Sequence, residues 1–118
     1  MESAATIDRA ATGFSLICVV HCSLLPVAAI GLPMLGLLAD AEWVHWLFLT
    51  LAILAAITTV LIAHDARTPS FLVPAITGIS LLLLALVSET LGIGETAPTI
   101  SGGLLLAGAH LYRLSQNH

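Results

Sequence analysis

The sequence predicts an all-α protein, an integral membrane four-helix bundle, and three observations carry that prediction. Of the 118 positions, 58% are apolar and only 8% are charged, where a water-soluble domain carries about 25% charged residues; the mean hydropathy is +1.07. The charged residues are also confined, because residues 10–39, 43–64, 68–88 and 96–112 contain no Asp, Glu, Lys or Arg. Each stretch is long enough for a bilayer core about 30 Å thick, which takes about 20 residues of helix. In hydrocarbon the backbone must satisfy its own hydrogen bonds, and no alternating pattern supports a β-barrel. The expected spans, approximately 13–38, 43–63, 71–91 and 98–115, leave no room for a separate soluble domain and make residues 1–118 a single transmembrane unit.

Segment 1 is too long for one straight span, and Pro26, Gly31 and Pro33 in its second half predict a kink or a partly interfacial end. A cleaved leader is not expected there, since Glu2 and Asp8 precede an apolar run far longer than a leader needs. Segment 2 opens on Trp43 and Trp46, residues suited to an aromatic interface belt, and ends at His64. Segment 3 has Pro74 placed for its first turn, where a missing N–H costs little, and Glu89 near its far end as an interfacial anchor. Segment 4 closes at Arg113. Arg9, Arg67 and Arg113 all fall on one side of a four-span topology, while the other loops carry Asp40, Glu42 and Glu95. The positive-inside rule then places both termini and the 64–70 loop in the cytoplasm.

Charge and motif content exclude several functions. Three Arg, no Lys and a formal net charge of −4 leave nothing to neutralise phosphates, so no nucleic-acid partner is expected. There is no nucleophile elbow, no pair of interior carboxylates and no phosphate-binding glycine loop, so the chain does not read as an enzyme.

Ionisable groups inside membrane spans are functional candidates by default. Here they are Cys18, His21 and Cys22 in segment 1, His45 and His64 at the two ends of segment 2, Glu89, and His110 in segment 4. Cys18 and Cys22 are four apart, which stacks them on one helical face with Cβ atoms about 5–6 Å apart. A disulfide wants about 3.5–4.5 Å, whereas two thiolates can clamp a soft ion such as Hg(II), Zn(II) or Cu(I) between them. Small residues share faces with these groups: Ser15 and Ala29 with the cysteines, Ala52, Ala56, Thr59 and Ala63 with His45, Gly103 and Ala107 with His110. Such stripes suit helix packing, and self-association through them is left open. At 1.5 Å per residue, Cys18 lies roughly 8 Å and His110 roughly 5 Å inside the cytoplasmic edge of their spans, so the two can meet. His45 falls about 20 Å away from Cys18 in depth, an outer vestibule group beside Asp40 and Glu42. The same residues leave two alternatives: a b-type haem between His21 and His110, and a thiol redox partner using Cys18 and Cys22.

Gly13-x-Ser15-x-x-Cys18-x-x-His21-Cys22-x-x-x-Pro26, preceded by Asp8-Arg9 and followed by Trp43-Val-His45 and Gly108-Ala-His110-Leu-Tyr-Arg113, resembles the MerC-type family of inner-membrane mercuric-ion transport proteins across the chain. With three residues between its cysteines and no third cysteine, the sequence is most similar to the broader Ser-x-x-Cys-x-x-His-Cys branch. The resemblance implies a multi-pass protein of the bacterial inner membrane, in which the pair Cys18 and Cys22 takes Hg(II) on the periplasmic side, from a donor there, and passes it toward a cytoplasmic thiol acceptor or reductase. It implies a transported ion and no permanently bound cofactor. Handover to the cytoplasm would fall to His110, His64 or His118.

Overall fold

The computed structural model describes residues 2–29 and 42–116, with the backbone alone at 22, 23 and 25–29. Among the described residues it is helical with no strand: α1 Glu2–Ala29, α2 Glu42–Ile62, a 3-10 turn His64–Arg67, α3 Pro69–Ser88 and α4 Thr96–Gln116. Successive helices run antiparallel, so the start of α1, the 3-10 turn and the end of α4 share one end of the bundle. Helix α4 is the hub, packed along both α1 and α3, while α2 lies more loosely against α1 and α3. The principal extents are 45 × 27 × 18 Å, and the long axis matches a bilayer with its headgroups, about 40–45 Å.

The turns follow from local chemistry. Helix α2 stops at Ala63, whose backbone is extended (φ −124°, ψ 113°), and Arg67 donates from Nε to the Val60 carbonyl at 3.1 Å, satisfying a last-turn acceptor. Thr68 is extended because a proline follows it, and its carbonyl accepts from the Phe71 and Leu72 N–H groups. The segment-3 helix therefore starts at Pro69, which takes the first-turn place expected for Pro74; Pro74 is inside the helix. Its far end is a Schellman turn: Gly92 is left-handed (φ +70°), the Ile93 N–H donates to the Ser88 carbonyl and the Gly92 N–H to that of Glu89.

The largest departure is at the N-terminus. Segment 1 was expected to begin near residue 13, after the charges at 8 and 9, yet α1 starts at Glu2. Its buried face runs Ala4, Asp8, Ala11, Ser15, Cys18, spaced alternately by four and three, with Thr12 alongside. Asp8 belongs to that face because it has cationic and imidazole partners on α4, so its charge does not end the helix. The helix backbone continues through Pro26 to Ala29; the kink or interfacial end expected around Gly31 and Pro33 falls on 30–41, outside the described residues.

Small side chains let the helices close up. A Cβ on Gly102 would stand 2.7 Å from the Gly78 carbonyl oxygen, and one on Gly78 would stand 2.9 Å from that of Gly102, so α3 and α4 cross in backbone contact. One residue on, Gly103 faces Val19 and the Ser15 carbonyl of α1. The core is built from Ala63, Ala66, Phe71, Ala75, Leu82, Leu106 and Ala109, while Leu24, Leu54, Leu61, Val73, Ile76 and Leu104 point outward. That inversion suits a hydrocarbon solvent.

Among the described residues, three helices are long and apolar enough to cross a membrane: α1 over Glu2–His21, α2 and α3. Helix α4 has the matching length, 21 residues, but a lower hydropathy. Three of its polar residues, Thr99, His110 and Arg113, are buried. Composition therefore understates how apolar its outer face is.

Candidate functional site

Cys18 projects from the fifth turn of α1 into the bundle and is buried. It lines a narrow cavity of about 20 Å³, room for one water molecule. Ala11 and Ser15 of α1, Phe48 and Ala52 of α2, Gly103 and His110 of α4 also line it. The absence of a side chain at Gly103 brings α4 against α1 at this level. Cys18 lies sixteen residues from the helix start, about 24 Å along the axis, and so deep in the bundle instead of near the cytoplasmic edge as expected.

Below the cavity, toward the end that carries the termini, lies a buried polar cluster. Asp8 and His110 are essentially inaccessible, and His110 Nδ1 is 2.7 Å from Asp8 Oδ1. Arg113, 4% exposed, pairs through Nη2 with Asp8 Oδ2 and donates from Nη1 to both carboxylate oxygens of Asp65 at 3.0 Å. Asp65 is half-exposed on the 3-10 turn. The Phe71 ring meets the His110 ring edge to face, with centroids 5.1 Å apart and planes at 80°. One hydrogen bond and one ring contact thus fix the imidazole.

Above the cavity, His21 and His45 meet with ring centroids 5.5 Å apart and planes at 77°, and Phe48 tilts against His21 at 6.2 Å. The separation of about 20 Å expected between the level of the cysteines and His45 does not hold. The early start of α1 slides residue 21 up to His45, and Cys18 is one turn below.

The expected residues therefore sort into three levels: His21 with His45, then Cys18, then His110. Paired positions on α1 and α4, Asp8 with His110 and Ser15 with Gly103, put about 15 Å along the axis between Cys18 and His110. They share a cavity without sharing one ion, and among the described residues no group of three His, Cys, Asp or Glu side chains converges on a point. His21 and His110 stand at opposite levels, which removes the facing pair that a haem reading needs. His64 and Glu89 are exposed, the former in a cleft with Glu2, Thr6, Arg9, Asp65 and Arg113. The side chain of Cys22, and Asp40 and His118, lie outside the described residues.

Asp8 was not among the expected site residues. A signal for it exists in the sequence: positions 8, 15 and 22 share one seven-residue phase, which puts Asp8 on the face of Ser15 and the cysteine motif.

A family model, that of the MerC mercury resistance protein, matches residues 8–115, from the buried Asp8 to two residues past Arg113. No curated protein and no solved structure matches the chain closely enough to argue from. The family match takes in every helix and each of the three levels of the site, and the chain belongs to the MerC mercury resistance protein family.

Proposed function

We propose that the protein is a multi-pass carrier of the bacterial inner membrane that takes Hg(II), or another thiophilic ion such as Zn(II) or Cu(I), onto Cys18 and Cys22 and passes it toward the cytoplasm. Membership of the MerC family supplies the substrate class. The observation that carries the mechanism is the position of Cys18, buried on the interior face of α1 and opening into a cavity that continues to His110.

The chemistry suits that place. Two thiols binding Hg(II) release two protons and form a neutral dithiolate complex, so no net charge is left in a low-dielectric interior. Release is the reverse exchange: two acceptor thiols displace the ion, and the helix thiols take up the protons. His21 and His45, one turn above, are the intake groups, and His110 is the next donor on the way out. A cavity for one water molecule admits an ion with its thiolates and not a porphyrin, which favours ion handling over haem.

Orientation follows from the arginines. Arg9, Arg67 and Arg113 cluster at the end where α1 begins and α4 finishes, and the positive-inside rule makes that end cytoplasmic. Transfer then runs from His21 and His45, past the cysteines, to a cytoplasmic thiol acceptor or reductase.

The test is elemental analysis of detergent-purified protein exposed in turn to Hg(II), Zn(II) and Cu(I) with competing glutathione. About one ion should be retained per chain, and Cys18→Ser, Cys22→Ser and the double variant should retain almost none. Equal retention by wild type and the double variant would sink the reading.

A further inference from the structure

We infer that Asp8 is a positioning residue for ion release: it fixes His110 in the tautomer that offers Nε2 to the transported ion. This rests on the carrier reading above, and it adds a residue to which no role has been given. Arg113 is cationic at any accessible pH, and its Nη2 is paired with Asp8 Oδ2. The other carboxylate oxygen, Oδ1, is 2.7 Å from His110 Nδ1. A carboxylate held by a guanidinium only accepts, so Nδ1 must be the nitrogen that carries the hydrogen. In the neutral ring the lone pair is then on Nε2, and His110 lines the cavity that Cys18 opens into.

A ligating histidine almost always donates its other N–H to a carboxylate, carbonyl or water, which sets tautomer, orientation and basicity. Here the carboxylate comes from the same helix as the cysteines, ten positions earlier. The edge-on Phe71 ring blocks an alternative ring plane. Asp65 holds the far side of Arg113, so the tautomer of a buried ring is anchored through Asp8 and Arg113 to the half-exposed turn.

Asparagine at position 8 separates positioning from packing, because it has the same shape. Arg113 will claim its carbonyl oxygen, the amide NH2 will face His110 Nδ1, and the ring must change to the Nε2–H tautomer, which leaves Nε2 without a lone pair to offer. The measurement is 15N NMR of protein labelled in its histidine rings, with the His110 signals identified by their loss in His110→Gln. Wild type should show Nδ1–H and a bare Nε2, and Asp8→Asn should show Nε2–H. Asp8→Asn should retain as much Hg(II) on its thiols as wild type, yet deliver it to glutathione enclosed in proteoliposomes about 10–100-fold more slowly.

An Nε2–H ring in wild type, an unchanged tautomer in Asp8→Asn, or unchanged delivery despite a changed tautomer would each overturn the assignment. If Asp8→Asn does not assemble, the wild-type ring decides: Nδ1–H with a bare Nε2 supports the assignment, and an Nε2–H ring overturns it. Failure of the thiols to hold Hg(II) would strike the carrier reading instead, and would appear as lost retention in wild type.

Discussion

The two ends of the bundle are held by different kinds of contact. At the end that carries the termini, Asp8, His110, Arg113 and Asp65 join α1, α4 and the 3-10 turn through charge-assisted hydrogen bonds and a buried ion pair. At the other, the contacts described are between rings, His21 with His45 and Phe48, next to the exposed Trp43 and Trp46. Hydrogen-bonded charge in a low dielectric has one good geometry and a heavy penalty for partial loss, while edge-to-face rings keep most of their attraction over a range of offsets. Cys18 lies one turn from the ring-packed end, so on the proposed route an entering ion passes the rings of His21, His45 and Phe48. On the same proposed route, leaving past the opposite end means negotiating an ion-paired cluster, which makes release the step to probe.

If that contrast is right, the largest effect on stability comes from the charged end. Arg113→Ala leaves Asp8 buried without its cation and should lower unfolding stability in detergent by about 3–5 kcal/mol. Asp65→Asn touches the same guanidinium from a half-exposed position and should cost only about 0–1 kcal/mol. Denaturation curves for the two variants compare the buried and the exposed half of one network. Equal losses would mean that burial of the Asp8 pair adds nothing, and the distinction between the ends would collapse.

A smaller effect is expected along α4, whose glycine seam keeps its distance from α3 fixed while α2 is packed more loosely. Gly102→Ala drives a Cβ to 2.7 Å from the Gly78 carbonyl oxygen, a backbone atom that cannot swing away, and should cost about 1–3 kcal/mol by overpacking. Gly108→Ala meets nothing within 4 Å and should stabilise the helix by about 0.5–1 kcal/mol. Thermal unfolding of the pair shows whether the α3–α4 contact is the rigid half of the molecule. A neutral Gly102→Ala would show that it is not.

Much of this was legible in the sequence. The four charge-free stretches became four helices, and the small faces expected on segments 1, 2 and 4 are where Ser15, Cys18, His45, Ala56, Thr59, Gly103, Ala107 and His110 are buried. What could not be read was the register of α1. A charge bounds a span only when it has no partner inside, and the partner of Asp8 lies about a hundred residues away on α4. The error propagated: it set Cys18 too shallow and His45 too far, and it hid the Asp8–His110 bond. For the same reason hydropathy understates α4, since a linear average cannot separate a buried His110 or Arg113 from one facing lipid.

The weakest predicted effect tests the ring-packed end. His45→Phe keeps an aromatic ring against His21 but removes both nitrogens, so it separates packing from ion handling. Hg(II) retention on the thiols should be intact, with uptake into proteoliposomes slowed less than tenfold, a barrier change under about 1.4 kcal/mol. The effect is small because histidine nitrogen competes poorly with thiolate for a soft ion, so an intake histidine can speed capture without determining how tightly the ion is held. If His45→Phe instead lost the ion as completely as Cys18→Ser, the ring would be a ligand equal to the thiols. The ion would then sit at the level of His21 and His45, and the route from there past Cys18 to His110 would have to be drawn with its tight site at the entrance instead of its middle.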